Sequence, residues 1–152
     1  MIVEVTEQNL RDAGYIHSEA WKQSHKSFCS MAFIEKHTAD AQTDYLRDQI
    51  KQGKRLFLLV ENIPVGIVSV HEDLIENLYV LPSMQNRGYG TQLLQFAIGQ
   101  CSQAPTLWLL SNNESAYRLY AKHGFFKTGQ VHRLNETLYE CEMRRNTLNP
   151  IK

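Results

Sequence analysis

The hydrophobic and polar positions in the first third of the chain follow two different periods. Val3 and Val5 alternate with polar residues, which is the pattern of a half-buried strand. In residues 10–24, and again between Thr38 and Gly53, apolar positions recur three or four residues apart, as they do in amphipathic helices. Thr38 is a good N-terminal helix cap and Gly53 a good residue to end a helix. The pattern therefore predicts a short strand followed by two helices.

After Gly53 the pattern changes from that of helices to that of extended strands. Apolar runs rich in β-branched residues occupy 56–60 and 65–70, and the polar segment between them predicts a hairpin. A third apolar run covers 74–81 and ends at Pro82. Because all three runs are so apolar, we expect an antiparallel meander in the centre of a sheet.

The rest of the chain returns to the helical period and then to strands. The pattern predicts a helix from Gly88 to Cys101, a strand at 106–110, a helix ended by Gly124, and weaker strands at 125–133 and 137–144. The strand, helix and strand between 74 and 110 need a crossover, which implies one parallel pairing in an otherwise antiparallel sheet. We therefore predict one mixed α/β domain over 1–152, with helices on both faces of a mixed, mostly antiparallel sheet.

Composition and charge narrow the function classes. The 152 residues are 43% hydrophobic and 21% charged, which predicts a packed core and excludes disordered and collagen-like classes. Sixteen basic residues balance sixteen acidic ones, so nucleic acid is not expected as a partner. The three widely spaced cysteines form no disulfide framework, which favours reduced thiols and a cytoplasmic location. Neither a signal-peptide pattern nor a membrane-length apolar run is found, so no membrane association is expected.

The sequence predicts no metal site. The segment that starts at His71 begins like the zinc-protease pattern HExxH, but Ile75 stands where the second histidine is required. His25 and Cys29 are one helical turn apart, but no further ligand is spaced to join them.

The most informative segment joins the third run of the meander to the next helix. It reads Gln85-Asn86-Arg87-Gly88-Tyr89-Gly90-Thr91. Unpaired amides and the helix dipole attract an anion such as pyrophosphate to a helix start. The two glycines let oxygens approach the backbone, and the Arg87 guanidinium suits phosphate. The segment is neither a Walker loop nor a dinucleotide fingerprint, and a purely structural glycine turn remains the alternative on these residues alone.

Two motifs resemble those of one enzyme family. The loop 85–90 is similar to the Gln/Arg-x-x-Gly-x-Gly/Ala pyrophosphate loop of the GNAT superfamily of acetyl-CoA-dependent N-acetyltransferases. The segment 113–125 resembles that family's Asn-x-x-Ala-x-x-x-Tyr-x-x-x-Gly-Phe segment. Both motifs stand in the family's order, and the close resemblance spans roughly 75–126. It implies a GNAT-like fold with acetyl-CoA in a V between the fourth and fifth strands.

The resemblance also implies which residues bind the co-substrate. The pyrophosphate would lie on the loop and the pantetheine on the backbone of the fourth strand. The implied binding residues are Leu78, Tyr79, Val80, Gln85, Asn86, Arg87, Gly88, Tyr89, Gly90, Thr91, Asn113 and Tyr120. Asn113 has an alternative role at the start of the last helix, where Ser111 and Glu114 have the spacing of a capping box.

Acetyl transfer needs a neutral amine, a donor to the tetrahedral oxyanion and an acid for the leaving thiolate. Strand alternation predicts that Glu76, Leu78 and Val80 share one face and that Asn77 and Tyr79 point the other way. Glu76 would then face the cleft as a candidate general base, with a backbone N–H near Val80 as the oxyanion donor. The alternative for Glu76 is a solvated surface glutamate.

Tyr120 is the candidate acid for the thiolate. Ala116 and His123 share its helical face, which predicts that its hydroxyl points inward. Without the motif it would be read as an ordinary buried tyrosine. Four residues of the first helical region either line an acceptor pocket or belong to the core: Tyr15, Trp21, His25 and Phe28.

We therefore predict an N-acetyltransferase that uses acetyl-CoA and no metal. Cys101 lies on an apolar helix face and no cysteine is paired with a histidine base, so direct attack by a primary amine is favoured over a covalent enzyme intermediate. The acceptor is open between a small amine and a peptide or protein amine. Family members often dimerise, which leaves both a monomer and a homodimer open. The alternative function is a non-catalytic CoA-binding sensor or interaction domain.

Overall fold

The helices lie on both faces of a seven-stranded sheet. The structure, a computed structural model, describes residues 1–146, so the last six residues of the predicted domain lie outside it. In chain order the elements are β1 (Ile2–Glu4), α1 (Leu10–His25), α2 (Met31–Glu35), α3 (Ala39–Lys51), β2 (Arg55–Glu61), β3 (Ile63–His71), β4 (Leu74–Val80), a 3₁₀ turn (Pro82–Met84), α4 (Tyr89–Gln100), β5 (Thr106–Leu110), α5 (Glu114–Lys122), β6 (Phe125–Arg133) and β7 (Tyr139–Arg145).

The strand order is β1-β2-β3-β4-β5-β7-β6. Neighbouring strands are antiparallel except β4 and β5, which are parallel because α4 crosses between them. The predicted mixed, mostly antiparallel sheet with helices on both faces is confirmed. The short helix α2 was not predicted, because it has five residues and buries only Ile34 among them.

Each face of the sheet has its own core. On one face α4 packs Leu93, Leu94 and Ala97 against the central strands, and α5 adds Tyr120. On the other face α1 and α3 bury Leu10, Ile16 and Leu46 against β2 and β3. We call these the α4 face and the α1 face.

A bulge interrupts β4 at Asn77. Glu76 pairs with Ser69, whereas Tyr79 pairs with Ile67, so β4 contains one residue more than β3 over this stretch. Asn77 takes up the extra residue with a φ of 53°. Asparagine adopts this left-handed conformation more readily than most residues.

The bulge reverses the predicted facing of Glu76. Tyr79 packs against the core of the α1 face, whereas Leu78 and Val80 pack against that of the α4 face. Glu76 lies opposite Ser69, two residues from Ile67 on the α1 face, and so shares that face with Tyr79. The prediction that Leu78 and Val80 share a face, with Asn77 and Tyr79 on the other, is confirmed. It is wrong for Glu76, because strict alternation holds only in a strand without a bulge.

Candidate functional site

A cleft opens where β4 and β5 separate. The two strands pair at two positions, Leu74 with Thr106 and Ile75 with Leu107, and diverge from there. The resulting cleft has a volume of about 950 Å³. Residues of both faces line it, including Tyr120 from the α4 face and Trp21 from the α1 face. The cleft therefore passes through the sheet between the two strands.

The start of α4 forms one end of the cleft. Gly88 is the residue before the helix, with a φ of +87°, and no side chain caps the helix start. The first amide to bond back is that of Gln92, which donates to the Gly88 carbonyl at 3.1 Å. The amides of Tyr89, Gly90 and Thr91 have no hydrogen-bond partner within residues 1–146, and all three residues line the cleft. This end can therefore bind an anion.

The two loop glycines are not required by close packing inside the protein. A Cβ built on Gly88 meets no atom within 4 Å, and one built on Gly90 lies 3.7 Å from Leu119 Cδ2, an ordinary contact. Gly88 is needed for its positive φ, which L side chains rarely adopt. Gly90 has no such requirement, so the space beside it is available to a ligand.

The other loop residues differ in their positions. Gln85 donates from Nε2 to the Val80 carbonyl at 3.1 Å and to Gln23 Oε1 at 2.9 Å, so it joins the loop to β4 and α1. Asn86 lines the cleft with a φ of 65°. Arg87 is exposed and is not among the residues that line the cleft, and its guanidinium has no partner in the described part of the chain.

The backbone of Val80 faces the cleft. The Leu81 amide donates to the Val65 carbonyl at 2.8 Å, so these two residues form a hydrogen-bonded pair. Hydrogen-bonded and non-hydrogen-bonded pairs alternate along an antiparallel ladder, so the next pair, Gly66 with Val80, is non-hydrogen-bonded. Its backbone N–H and C=O groups point away from the partner strand. The Val80 N–H therefore points away from β3 and toward the gap next to β5.

Tyr120 reaches the cleft from α5. Its side chain is 8% exposed, and its hydroxyl makes no hydrogen bond with any described residue. Burial raises the pKa of Tyr120 to about 12, so the hydroxyl keeps its proton at neutral pH. The predicted inward orientation of Tyr120 is confirmed.

Tyr79 lines the same cleft from β4. Its ring packs edge-on against His17, with centroids 4.9 Å apart. Burial raises the pKa of Tyr79, and the charges of Tyr45, Tyr120 and Glu140 raise it further. Tyr120 and Glu140 are thus both close enough to Tyr79 to act on its hydroxyl.

Glu76 lines the cleft and carries an ion pair. Its Oε1 accepts a hydrogen bond from Lys54 Nζ at 2.7 Å, and the two side chains are 35% and 18% exposed. The second carboxylate oxygen makes no hydrogen bond within residues 1–146, so the ion pair leaves it available.

An aromatic stack forms the wall of the cleft on the α1 face. Trp21 lies between His25 and His37, with ring centroids 4.0 Å and 3.5 Å away and planes within 13° of parallel. Trp21 and His25 line the cleft, whereas Phe28 packs against His25 and Tyr15 is 51% exposed. Of the four aromatic positions considered from the sequence, Trp21 and His25 thus fit the pocket interpretation. The stacking of His37 on Trp21 was not predicted, because it depends on how α2 brings the chain back to α1.

Asn113 caps α5 and also lines the cleft. Its Oδ1 accepts a hydrogen bond from the Ala116 amide at 3.1 Å. The capping box suggested for Ser111 and Glu114 is wrong, because Ser111 Oγ instead accepts a hydrogen bond from the Tyr139 amide at 3.2 Å. The helix-starting role of Asn113 is confirmed.

Among residues 1–146, no group of three or more histidine, cysteine or acidic side chains could hold a metal ion. Over the same residues, no helix has the length and apolar character needed to cross a membrane. The three cysteines are free thiols. Burial raises the pKa of Cys101 to about 11, so this thiol stays protonated at neutral pH.

Comparison with known proteins identifies what the chain is similar to. Residues 52–127 match the family model of the acetyltransferase (GNAT) domain. No curated protein matches the sequence.

Solved structures of the same fold cover nearly the whole chain. The PaiA N-acetyltransferase of Thermoplasma acidophilum in complex with coenzyme A is 17% identical, with a TM-score of 0.65, over 93% of this chain and 96% of that one. A GCN5-related N-acetyltransferase of Rhodopseudomonas palustris is 20% identical, with a TM-score of 0.72, over 95% and 94%. A mutant of the Vibrio cholerae spermidine N-acetyltransferase SpeG is 17% identical, with a TM-score of 0.69, over 95% and 94%. At these identities the likeness shows the fold.

Proposed function

The chain belongs to the GNAT family of acetyltransferases, and from that premise we propose that it transfers the acetyl group of acetyl-CoA to a primary amine by direct attack. One observation carries the proposal. A cleft between diverging β4 and β5 has, at one end, backbone amides without a partner among residues 1–146, and it has the Tyr120 hydroxyl inside it. That arrangement provides a place for a diphosphate and a proton donor in one cavity.

The amides of Tyr89, Gly90 and Thr91 hold the pyrophosphate of the co-substrate. Gly88 supplies the left-handed turn that directs them, and Asn86 lies at the same mouth of the cleft. Arg87 contributes a positive charge from the exposed side of the loop.

The middle of the cleft holds the pantetheine arm. The Val80 backbone and its neighbours Leu78 and Tyr79 border the gap that β5 leaves open. Gln85 already donates to the Val80 carbonyl, so its side chain shapes the end of β4. The Asn113 side-chain amide, whose oxygen caps α5, faces the same cleft with its nitrogen free for a ligand.

The transfer step uses three groups of this chain. The amine nitrogen attacks the thioester carbonyl carbon, and the free oxygen of Glu76 takes the amine's proton directly or through one water. The Val80 N–H stabilises the oxyanion as the tetrahedral intermediate forms. When the carbon–sulfur bond breaks, Tyr120 gives its proton to the departing thiolate.

Direct attack also fits the cysteines. A covalent route would need a thiolate nucleophile, but burial raises the pKa of Cys101 to about 11. Cys141 is buried in the core of the α4 face, so an acyl group could not reach it without disrupting the packing.

A free-thiol assay tests the transfer. With acetyl-CoA and a panel of small amines, polyamines and peptides, thiol release dependent on at least one amine is expected, in stoichiometric yield with acetylated product. Calorimetry with CoA runs in parallel. CoA binding without thiol release from any amine would contradict the proposed transfer and favour a CoA-binding sensor.

Gly90→Val is expected to weaken CoA binding about tenfold or more, since two γ-carbons would enter the space in front of the helix amides. Calorimetry with CoA measures this change. Gly99→Val is the matched control, because Gly99 is exposed on the same helix and a Cβ there meets nothing within 4 Å. Both variants make the same Gly-to-Val change on one helix, so equal CoA affinity in the two would contradict the assignment.

A further inference from the structure

The charges that line the cleft are all of one sign. Among the described residues of the lining, Glu76 and Glu140 are acidic and none is Lys or Arg. His25 also lines the cleft, but burial lowers its pKa, which favours the neutral ring at physiological pH. The part of the cleft that receives the acceptor therefore carries negative charge.

The two carboxylates differ in how far they are neutralised. Glu76 has Lys54 at 2.7 Å, and both side chains are largely shielded from solvent. Glu140 has one ion-pair partner within residues 1–146, His132 at 3.5 Å. That imidazole is 69% exposed and is charged only when protonated. At neutral pH, Glu140 is thus the carboxylate of the cleft without a permanent counter-charge.

Glu140 lies on the α1 face of the cleft, the side of the candidate acceptor-pocket residues Trp21 and His25. It pairs with Leu110 at the end of β5, beyond the two positions at which β4 and β5 pair. The next residue, Cys141, is buried on the α4 face, so Glu140 points to the α1 face. His25 feels its charge, since Glu140 opposes the effect of burial on the pKa of that ring. The Glu140 carboxylate therefore faces the end of α1 across the cleft.

The neighbouring aromatic wall does not offer a ring face to a cation. His25 and His37 cover the two faces of Trp21 at 4.0 Å and 3.5 Å. A cation–π contact needs an open ring face, so Trp21 can present only its edge to the cleft. Since Glu76 is paired with Lys54 and is assigned to the reacting amine, a second positive group on the acceptor has Glu140 as its partner among the described lining residues.

We infer that Glu140 sets acceptor specificity, by binding a second positive group of the amine substrate and repelling any carboxylate on it. The inference rests on the proposed function and narrows it. The acceptor is a cationic amine without a carboxylate, such as a diamine, rather than a free amino acid. Like charges in a partly enclosed cleft repel strongly enough to exclude a partner, whereas an opposite charge there improves binding.

Pairs of amines that differ by one carboxylate test this inference. Cadaverine and lysine are one pair, and histamine and histidine are another. In the free-thiol assay, kcat/KM is expected to be about tenfold or more higher for the member without the carboxylate. Glu140→Gln is expected to lower kcat/KM for cadaverine about tenfold, mainly by raising KM, and to reduce the preference over lysine. Equal or faster turnover of lysine and histidine would overturn the inference.

A second carboxylate on the same strand provides the matched control. Glu142 lies on the same side of β7, bonds Thr128 Oγ1 at 2.7 Å and is not among the cleft-lining residues. Glu142→Gln is expected to keep the wild-type preference. An identical loss of preference in both variants would overturn the role of Glu140.

Binding measurements separate the inference from the transfer itself. Calorimetry of cadaverine and of lysine is carried out on the full chain saturated with CoA. Tighter binding of cadaverine, lost in Glu140→Gln, supports the inference even if no thiol is released, a result that would contradict only the proposed transfer. Equal binding of the two amines would overturn the inference, whatever the thiol assay shows.

Discussion

Tyr120→Phe is expected to lower kcat about 100-fold, or about 2.7 kcal/mol in the barrier, and to leave CoA affinity unchanged. Burial raises the pKa of Tyr120 to about 12, so the wild-type hydroxyl carries a proton throughout the neutral range. The hydroxyl has no partner within residues 1–146, so its removal breaks no hydrogen bond and the fold should keep its stability. Steady-state thiol release and CoA calorimetry on the two proteins measure the effect.

Two further tyrosines make this test specific. Tyr117→Phe is the control on the same helix, because Tyr117 is 40% exposed and does not line the cleft. It should retain wild-type turnover. Tyr79→Phe tests the neighbouring hydroxyl in the cleft. If Tyr79→Phe lowers kcat and Tyr120→Phe does not, Tyr120 is not the acid, and Tyr79 donates the proton to the thiolate.

Long periodic segments with clear end signals could be predicted from the sequence. Thr38 caps α3, and Gly53 follows its end with a φ of +97°, as their residue types predict. The strand Thr106–Leu110 has the predicted bounds, since its apolar run is enclosed by polar residues. These signals are local, so they do not depend on what the segment packs against.

The loop of the site could be predicted for the same reason. Gly88 and Gly90 stand between an apolar run and an amphipathic helix, and the structure places both at the mouth of the cleft. The unpartnered amides follow from the helix start itself. A local motif therefore located the end of the cleft at which we propose that the diphosphate binds.

The proposed acceptor end of the cleft could not be predicted, because long-range register positions its residues. The bulge at Asn77 moves Glu76 to the face opposite the predicted one, and no residue type near it requires a bulge. Glu140 enters the cleft through its pairing with Leu110, thirty positions earlier in the chain. The sequence offered one signal for Glu140, an acidic residue in a strand of both polar and apolar residues. Such residues are too common to be informative.

A buried polar network supports the bulge from the α1 face. Asn77 donates to Ser69 Oγ at 3.1 Å, and its Oδ1 lies 3.3 Å from His17 Nε2. Gln42 Nε2 lies 2.7 Å from His17 Nδ1. These contacts assign the proton of the neutral ring to Nε2, which donates to Asn77 while Nδ1 accepts from Gln42. The network thus joins α3, α1 and β4 directly beneath the cleft.

His17→Gln is expected to remove much of the acid sensitivity of folding. Burial lowers the pKa of His17 to about 4, from a usual value of 6.5, so the unfolded chain binds one more proton than the folded one between these pH values. The free energy of unfolding therefore falls as the pH drops from 6.5 to 4, by about 3 kcal/mol for this residue, and levels off below 4. Above pH 6.5 the imidazole is neutral in both states and contributes no slope.

Urea unfolding at a series of pH values from 4 to 7.5 measures this dependence. Glutamine keeps an amide in place of the ring nitrogens but has no proton to gain, so His17→Gln should show a flatter curve below pH 6.5, even if it is less stable at pH 7.5. His71→Gln is the control, because His71 lies half-buried at the end of β3, outside the network, and its variant should keep the wild-type slope. If His17→Gln loses as much stability toward pH 4 as the wild type does, another group causes the acid sensitivity. The network that supports the bulge would then not make folding pH-dependent through His17.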